Sequence, residues 1–185
     1  MLKPYNLRVI VFSFFMNLPN SITFIRIIFV VPIVYFLYQV DVASQWIAFV
    51  LFLIAAATDW LDGFLARRLN QITDLGKFLD PLTDKILVIA PLLILIERQV
   101  VPAWGVFLIV LREVAIAGWR VNPQQQVVSG ANIWGKLKTI SQISAIALLI
   151  IPLRGLWQEI GLIMFWVSVI LTIISGLIYL VSREK

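Results

Sequence analysis

The sequence predicts an all-α integral membrane protein with six transmembrane helices and both termini on the cytoplasmic side. Three observations predict it. Of the 185 residues, 61% are apolar and 14% charged, with a mean hydropathy of +0.97, against about 45–50% apolar and about 25% charged in soluble domains. Six apolar stretches recur along the chain, each close to the roughly 20 residues one helix needs to cross the hydrocarbon. Lysine and arginine gather on alternate connections, the mark of retention on the cytoplasmic side.

Residues 1–18 come first, with Lys3, Tyr5 and Arg8 ahead of the apolar run from Val9 to Phe15. That run is too short to span and lacks a small-residue cleavage site, which argues against a signal peptide. It reads either as an interfacial amphipathic helix or as an extension upstream of a start at Met16. Residues 19–185 form the transmembrane domain, with spans expected at Ser21 to Val40, Ser44 to Ala66, Lys77 to Ile96, Val101 to Val121, Asn132 to Pro152 and Gln158 to Val181. Leu, Ile, Val and Phe fill them with little period-2 alternation, which favours helices over barrel strands. Of the fifteen basic residues, all but Arg98 and Arg154 fall on one side. Trp46, Trp104, Trp119, Trp134 and Trp157 lie near span ends and read as an interfacial belt.

The formal charge of +5 does not imply nucleic acid, because the basic residues sit singly at helix ends as topology determinants and anionic-lipid contacts. Cysteine and histidine are both absent from the sequence. Disulfides, thiolate nucleophiles, a histidine base and nearly all transition-metal sites are thereby excluded, leaving carboxylates, amines, guanidinium groups, hydroxyls and hard oxygen-bound cations.

Five of the ten acidic residues, Asp59, Asp62, Asp74, Asp80 and Asp84, fall at the ends of the second and third spans. An ionised Asp at a helix centre costs roughly 2.5–3.5 kcal/mol on insertion scales, so a group of them needs a partner or a polar cavity. Asp59 and Asp62 are three apart and Asp80 and Asp84 four apart, so each pair shares a helix face. A polar turn at residues 67–76, with Thr73 or Asp74 able to cap the next helix, makes the two helices antiparallel neighbours. Their four carboxylates can then converge, and oxygen donors alone suit a pair of Mg²⁺ or Mn²⁺ ions, the clamp used for displacement at phosphorus. The plainer reading is capping, or pairing with Arg67, Arg68, Lys77 and Lys85; it fits Asp74 best and does not account for two same-face pairs inside apolar sequence. Gly63 and Gly76 permit close approach of a ligand or of a neighbouring helix.

Together Asp59, Asp62, Gly63, Ala66, Arg67, Gly76, Asp80 and Asp84 spell D-x2-D-G-x2-A-R-x8-G-x3-D-x3-D. This resembles the full signature of the CDP-alcohol phosphotransferases. Pro19, Asn20, Ile22, Thr23 and Arg26, the D-P-L-T-D-K run from Asp80 to Lys85, Arg112-Glu113, and the G-K-L-K-T run from Gly135 to Thr139 are similar to the phosphatidylglycerophosphate synthase branch. The resemblance implies transfer of the phosphatidyl group from CDP-diacylglycerol to sn-glycerol 3-phosphate, releasing CMP, and a homodimer in a bacterial-type plasma membrane with its site facing the cytoplasm. It further implies two divalent cations, Mg²⁺ or Mn²⁺, on Asp59, Asp62, Asp80 and Asp84, with Asp84 also taking the proton of the attacking hydroxyl. Asn20, Thr23, Gly63, Arg67, Thr73 and Gly76 would contact CDP-diacylglycerol. An acceptor phosphate needs fixed cations, for which Arg112, Arg120, Lys136 and Lys138 are candidates, Arg112 and Lys136 foremost. Rival readings are another acceptor (inositol phosphate, phosphatidylglycerol, serine or an amino alcohol) and a divalent-cation transporter. The transporter fits less well, because its acids would be spread through the bilayer depth over several helices.

Overall fold

The computed structural model describes residues 18–69, 74–120, 133–153 and 155–181, and within these the side chains of 18–25, 59–82, 84, 119–120 and 180–181 are outside the description. The expected interfacial segment at 1–17 and Thr73 lie outside the described residues. Those residues form six helices and no strand: α1 Leu18–Tyr38, α2 Val42–Leu69, α3 Asp74–Glu97, α4 Ala103–Arg120, α5 Ile133–Ile150 and α6 Leu156–Val181. Among them, α5 and the stretch Leu156–Tyr179 of α6 are long and apolar enough to cross a membrane, while α1 and α2 contribute shorter apolar stretches, Arg26–Tyr38 and Val42–Thr58.

The helix limits follow from local chemistry. Pro19 sits in the first turn of α1, where a missing N–H costs nothing, so α1 begins ahead of the expected Ser21. Asp41 caps α2: its Oδ1 accepts from the Ser44 N–H at 2.9 Å, two residues ahead of the expected start. The Ser44 contacts, chiefly from its side chain, hold the Asp41 carboxyl below the usual carboxylate range. α3 closes on Gln99, a non-glycine residue in the left-handed region (φ 58°). Val100 N–H donates to the Leu95 carbonyl at 2.9 Å and Gln99 N–H to Ile96 at 2.8 Å, a complete Schellman ending. α5 stops at Ile150, short of Pro152, which disfavours helix in the residue before it.

Residue pairs between helices give their directions. Tyr38 Oη donates to Glu97 Oε1 at 3.1 Å and Arg98 Nη2 to the Gln39 carbonyl at 2.6 Å, so the C-terminal ends of α1 and α3 are latched together. α4 runs beside α6 in the same direction, through Gly105 on Phe165 and Arg112 on Ser175. α5 runs against α6, through Leu149 on Gly161 and Gln142 on Thr172. The six helices therefore alternate, and the junction of α2 and α3 lies at the end opposite the latch. α1 packs on both α2 and α3 more extensively than those two pack on each other.

The outer surface is as apolar as the interior, unlike that of a soluble bundle. On α6 the aliphatic Ile163, Val167, Ile170, Ile173 and Leu177 are exposed, whereas Ser168, Thr172, Ser175 and Gly176 are buried. Ile28, Val31, Phe107, Leu111, Val114 and Ile140 extend the exposed apolar surface over α1, α4 and α5, the kind of surface monomeric soluble proteins rarely present to water. Small residues bring the helices close: a Cβ at Gly105 would come within 2.8 Å of Phe165, and one at Gly161 within 2.8 Å of Leu149. Buried hydroxyls satisfy themselves on their own helix, as Ser168 Oγ on the Phe165 carbonyl at 2.7 Å and Thr172 Oγ1 on that of Ser168 at 2.6 Å. Trp46, Trp104 and Trp157 are exposed near the latch end and Trp134 near the other, an arrangement suited to two membrane interfaces.

Candidate active site

The eight signature residues occupy the two helix segments nearest the α2–α3 junction. Asp59, Asp62, Gly63, Ala66 and Arg67 lie in the last part of α2, and Gly76, Asp80 and Asp84 in the first half of α3. Helix rise puts Asp84 about 20 Å from Glu97 and the latch. The side chains of Asp59, Asp62, Asp80 and Asp84 lie outside the described residues, as do those of Asn20, Thr23 and Arg67. Among the described residues no group of His, Cys, Asp or Glu could hold a metal ion. The backbone gives a simpler fact: the acidic segments belong to two helices that touch and are joined through only four residues, 70–73. Arg26 of α1 (2% exposed) and Thr83 of α3 (1% exposed) are buried near that end, on two helices that pack together.

A second cluster is described in atomic detail. Glu113 Oε1 accepts hydrogen bonds from Arg112 Nη1 at 3.0 Å and from Lys138 Nζ, joining α4 to α5. Arg112 Nη2 donates to Ser175 Oγ of α6 at 3.2 Å. Ser175 in turn donates to the Thr172 carbonyl at 3.0 Å, and Gln142 Nε2 donates to Thr172 Oγ1 at 3.1 Å. Side-chain exposures of 18%, 13% and 8% for Arg112, Glu113 and Lys138 mean that the charges are largely withdrawn from water. Lys85, next to Asp84 in sequence, is half-buried on α3, which packs against both α4 and α5. Arg112 lies nine residues into α4, about 14 Å along the axis from its start at the latch end, so the cluster belongs to the half of the bundle that holds the aspartates.

The four expected acceptor cations are thus distributed unequally. Arg112 and Lys138 meet on one carboxylate, whereas Lys136 is exposed on α5 and does not join them. Arg120 ends α4, with its side chain outside the described residues. Of the two residues that hold Arg112, Glu113 entered the sequence reading only as part of the Arg112-Glu113 match, with no role given to it, and Ser175 did not enter at all. An acid beside an arginine in the apolar run of α4 was the available signal for Glu113; nothing in the sequence marks Ser175. Arg112 Nε is buried and has no hydrogen-bond partner among the described residues, leaving a donor for a further acceptor oxygen.

The all-helical bundle carries the four signature aspartates on two adjoining helices and a largely buried cationic cluster in the same half, features suited to phosphate chemistry at a membrane. The chain belongs to the CDP-alcohol phosphatidyltransferase family, whose model matches residues 16–174. It is 40% identical to the CDP-diacylglycerol–glycerol-3-phosphate 3-phosphatidyltransferase of Bacillus subtilis (strain 168), with 86% of this chain and 91% of that protein covered. Proteins of the same name from Escherichia coli (strain K12), at 36% identity with 89% and 93% covered, and from Haemophilus influenzae (strain ATCC 51907 / DSM 11121 / KW20 / Rd), at 33% with 89% and 91% covered, are also similar. Divalent-cation dependence is general for the family.

Proposed function

We infer that this chain transfers the phosphatidyl group of CDP-diacylglycerol to sn-glycerol 3-phosphate, giving phosphatidylglycerophosphate and CMP in phospholipid biosynthesis. The observation that carries the acceptor is the pair of Arg112 and Lys138, both largely withdrawn from water, on the single carboxylate of Glu113. Two cations on one carboxylate leave a positive charge there that suits a phosphate, and an uncharged alcohol would leave it uncompensated. Relatives aligned along about nine-tenths of both chains support the same reading.

The donor set of Asp59, Asp62, Asp80 and Asp84, four hard oxygen ligands on two helices in contact, fits a pair of divalent cations, Mg²⁺ or Mn²⁺. When bound, the pair supplies charge neutralisation at the diphosphate and acidification of the acceptor hydroxyl. Asp84 takes the proton of that hydroxyl as its oxygen attacks the phosphorus bearing the diacylglycerol. A new P–O bond forms there, the P–O bond to CMP breaks, and the electron pair leaves with CMP. Asn20, Thr23, Gly63, Thr73 and Gly76 bind CDP-diacylglycerol, and Arg67 offsets its diphosphate charge. Arg112 and Lys138 hold the acceptor phosphate, with Arg120 and the exposed Lys136 attracting the anion from water.

Six spans with both termini cytoplasmic, in a bacterial plasma membrane, match the alternating helices and the sidedness of the basic residues. The site then faces the cytoplasm, where glycerol phosphate is dissolved, while acyl chains reach it laterally from the bilayer. The working unit is a homodimer. Purified protein assayed for CMP release with CDP-diacylglycerol and a panel of acceptors tests the assignment. Glycerol 3-phosphate should exceed serine, inositol phosphate and phosphatidylglycerol by at least about 10²-fold, the scale expected where buried charges would go unpaired. Equal or faster release with any other acceptor would overturn it.

A further inference from the structure

Two cations from different helices converge on one oxygen of Glu113, a residue to which the acceptor assignment gives no part. We propose that Glu113 is a positioning residue of the acceptor-phosphate pocket, locking Arg112 and Lys138 into one unit that engages a single phosphate group; this rests on the acceptor reading above. Glu113 touches no reacting atom and acts through the two cations.

The arrangement restrains Arg112 on both sides. Its Nη1 is held at 3.0 Å by Glu113 and its Nη2 at 3.2 Å by Ser175, and a Cβ on Gly176 would lie 3.1 Å from Arg112 Cγ. The bare backbone of Gly176 therefore admits the arginine stem against α6. Among the described residues Lys138 has no such second support: Glu113 is the carboxylate that fixes its ammonium group, on a side chain only 8% exposed. In this partly dehydrated setting Arg112 and Lys138 repel one another, and the negative charge of Glu113 offsets that repulsion while leaving a net positive charge for the ligand. Replacing Glu113 by Gln keeps the size of the side chain and removes the charge, so the two cations lose their common anchor.

The test uses the full chain purified in detergent, with each substrate varied at saturation of the other. Glu113→Gln is expected to raise the KM for glycerol 3-phosphate by roughly tenfold or more while the KM for CDP-diacylglycerol stays within about twofold. Glu113→Asp, which restores the charge on a shorter stem, should recover part of the loss, and it decides the matter by the same KM criterion if the Gln variant does not fold. An unchanged glycerol phosphate KM, with only kcat or melting temperature lowered, would make Glu113 merely structural and overturn the proposal; so would an equal rise in both KM values. Arg112→Gln separates the two levels. If it raises the glycerol phosphate KM and Glu113→Gln does not, the pocket stands and the role of Glu113 falls. If Arg112→Gln leaves that KM unchanged, the pocket assignment falls and this proposal with it.

Discussion

Asp84→Asn is expected to lower CMP release by about 10²–10⁴-fold, the usual contribution of a positioned proton acceptor. The chain has no histidine and no cysteine to take over the role. The substitution conserves shape and an oxygen donor but removes the proton-accepting charge. A free carboxylate with a pKa near 4 is a weak base toward an alcohol, so the proposed reaction needs the hydroxyl acidified by the bound cations, and Asp84 is proposed to serve both purposes. The loss should therefore fall on kcat, without a matching rise in either KM. Steady-state CMP release, alongside a melting curve that establishes folding, checks this. Activity within about tenfold of the parent chain would remove Asp84 from the role of base.

Arg112→Ala should lower kcat/KM for glycerol 3-phosphate by roughly 10²-fold or more. Hydrogen bonds to charged groups contribute about 1.5–3 kcal/mol each, and the variant loses two donors toward a phosphate while leaving Glu113 with one partner fewer. Lys138→Ala is expected to behave similarly, because Lys138 is buried on the same carboxylate. Lys136→Ala should change the same quantity by no more than a few-fold, as an exposed cation at high dielectric contributes about 1 kcal/mol at most. Equal effects at Lys136 and Lys138 would contradict the division that the structure draws between them.

That division shows where sequence reasoning reaches and where it stops. The helical class was legible because apolar runs and sidedness of charge are properties of consecutive residues. Several limits were not: Asp41 was not chosen as a cap, and the turn at Gln99 gave no warning because glycine is the usual occupant of its left-handed conformation. The spacing of the aspartate signature is local, so its place at the ends of two adjoining helices could be read directly. The acceptor cluster is not local. Arg112, Lys138 and Ser175 come from three helices, and only the packing of α4 and α5 against α6 brings them together. Lys136 and Lys138 are about 200° apart around a helix, and in a chain whose outer surface is as apolar as its interior, hydropathy does not tell which of the two points inward. The structure puts Lys138 inside.

The central claim is that aspartates of α2 and α3 share one pair of hard cations. Titrating purified, metal-stripped protein with Mn²⁺ and following the EPR signal of the free ion tests it most directly. The account predicts two bound ions per chain, and that Asp59→Asn on α2 and Asp80→Asn on α3 each weaken binding of both. Wild-type protein that binds no Mn²⁺, or variants that each lose one ion and leave the other untouched, would contradict it.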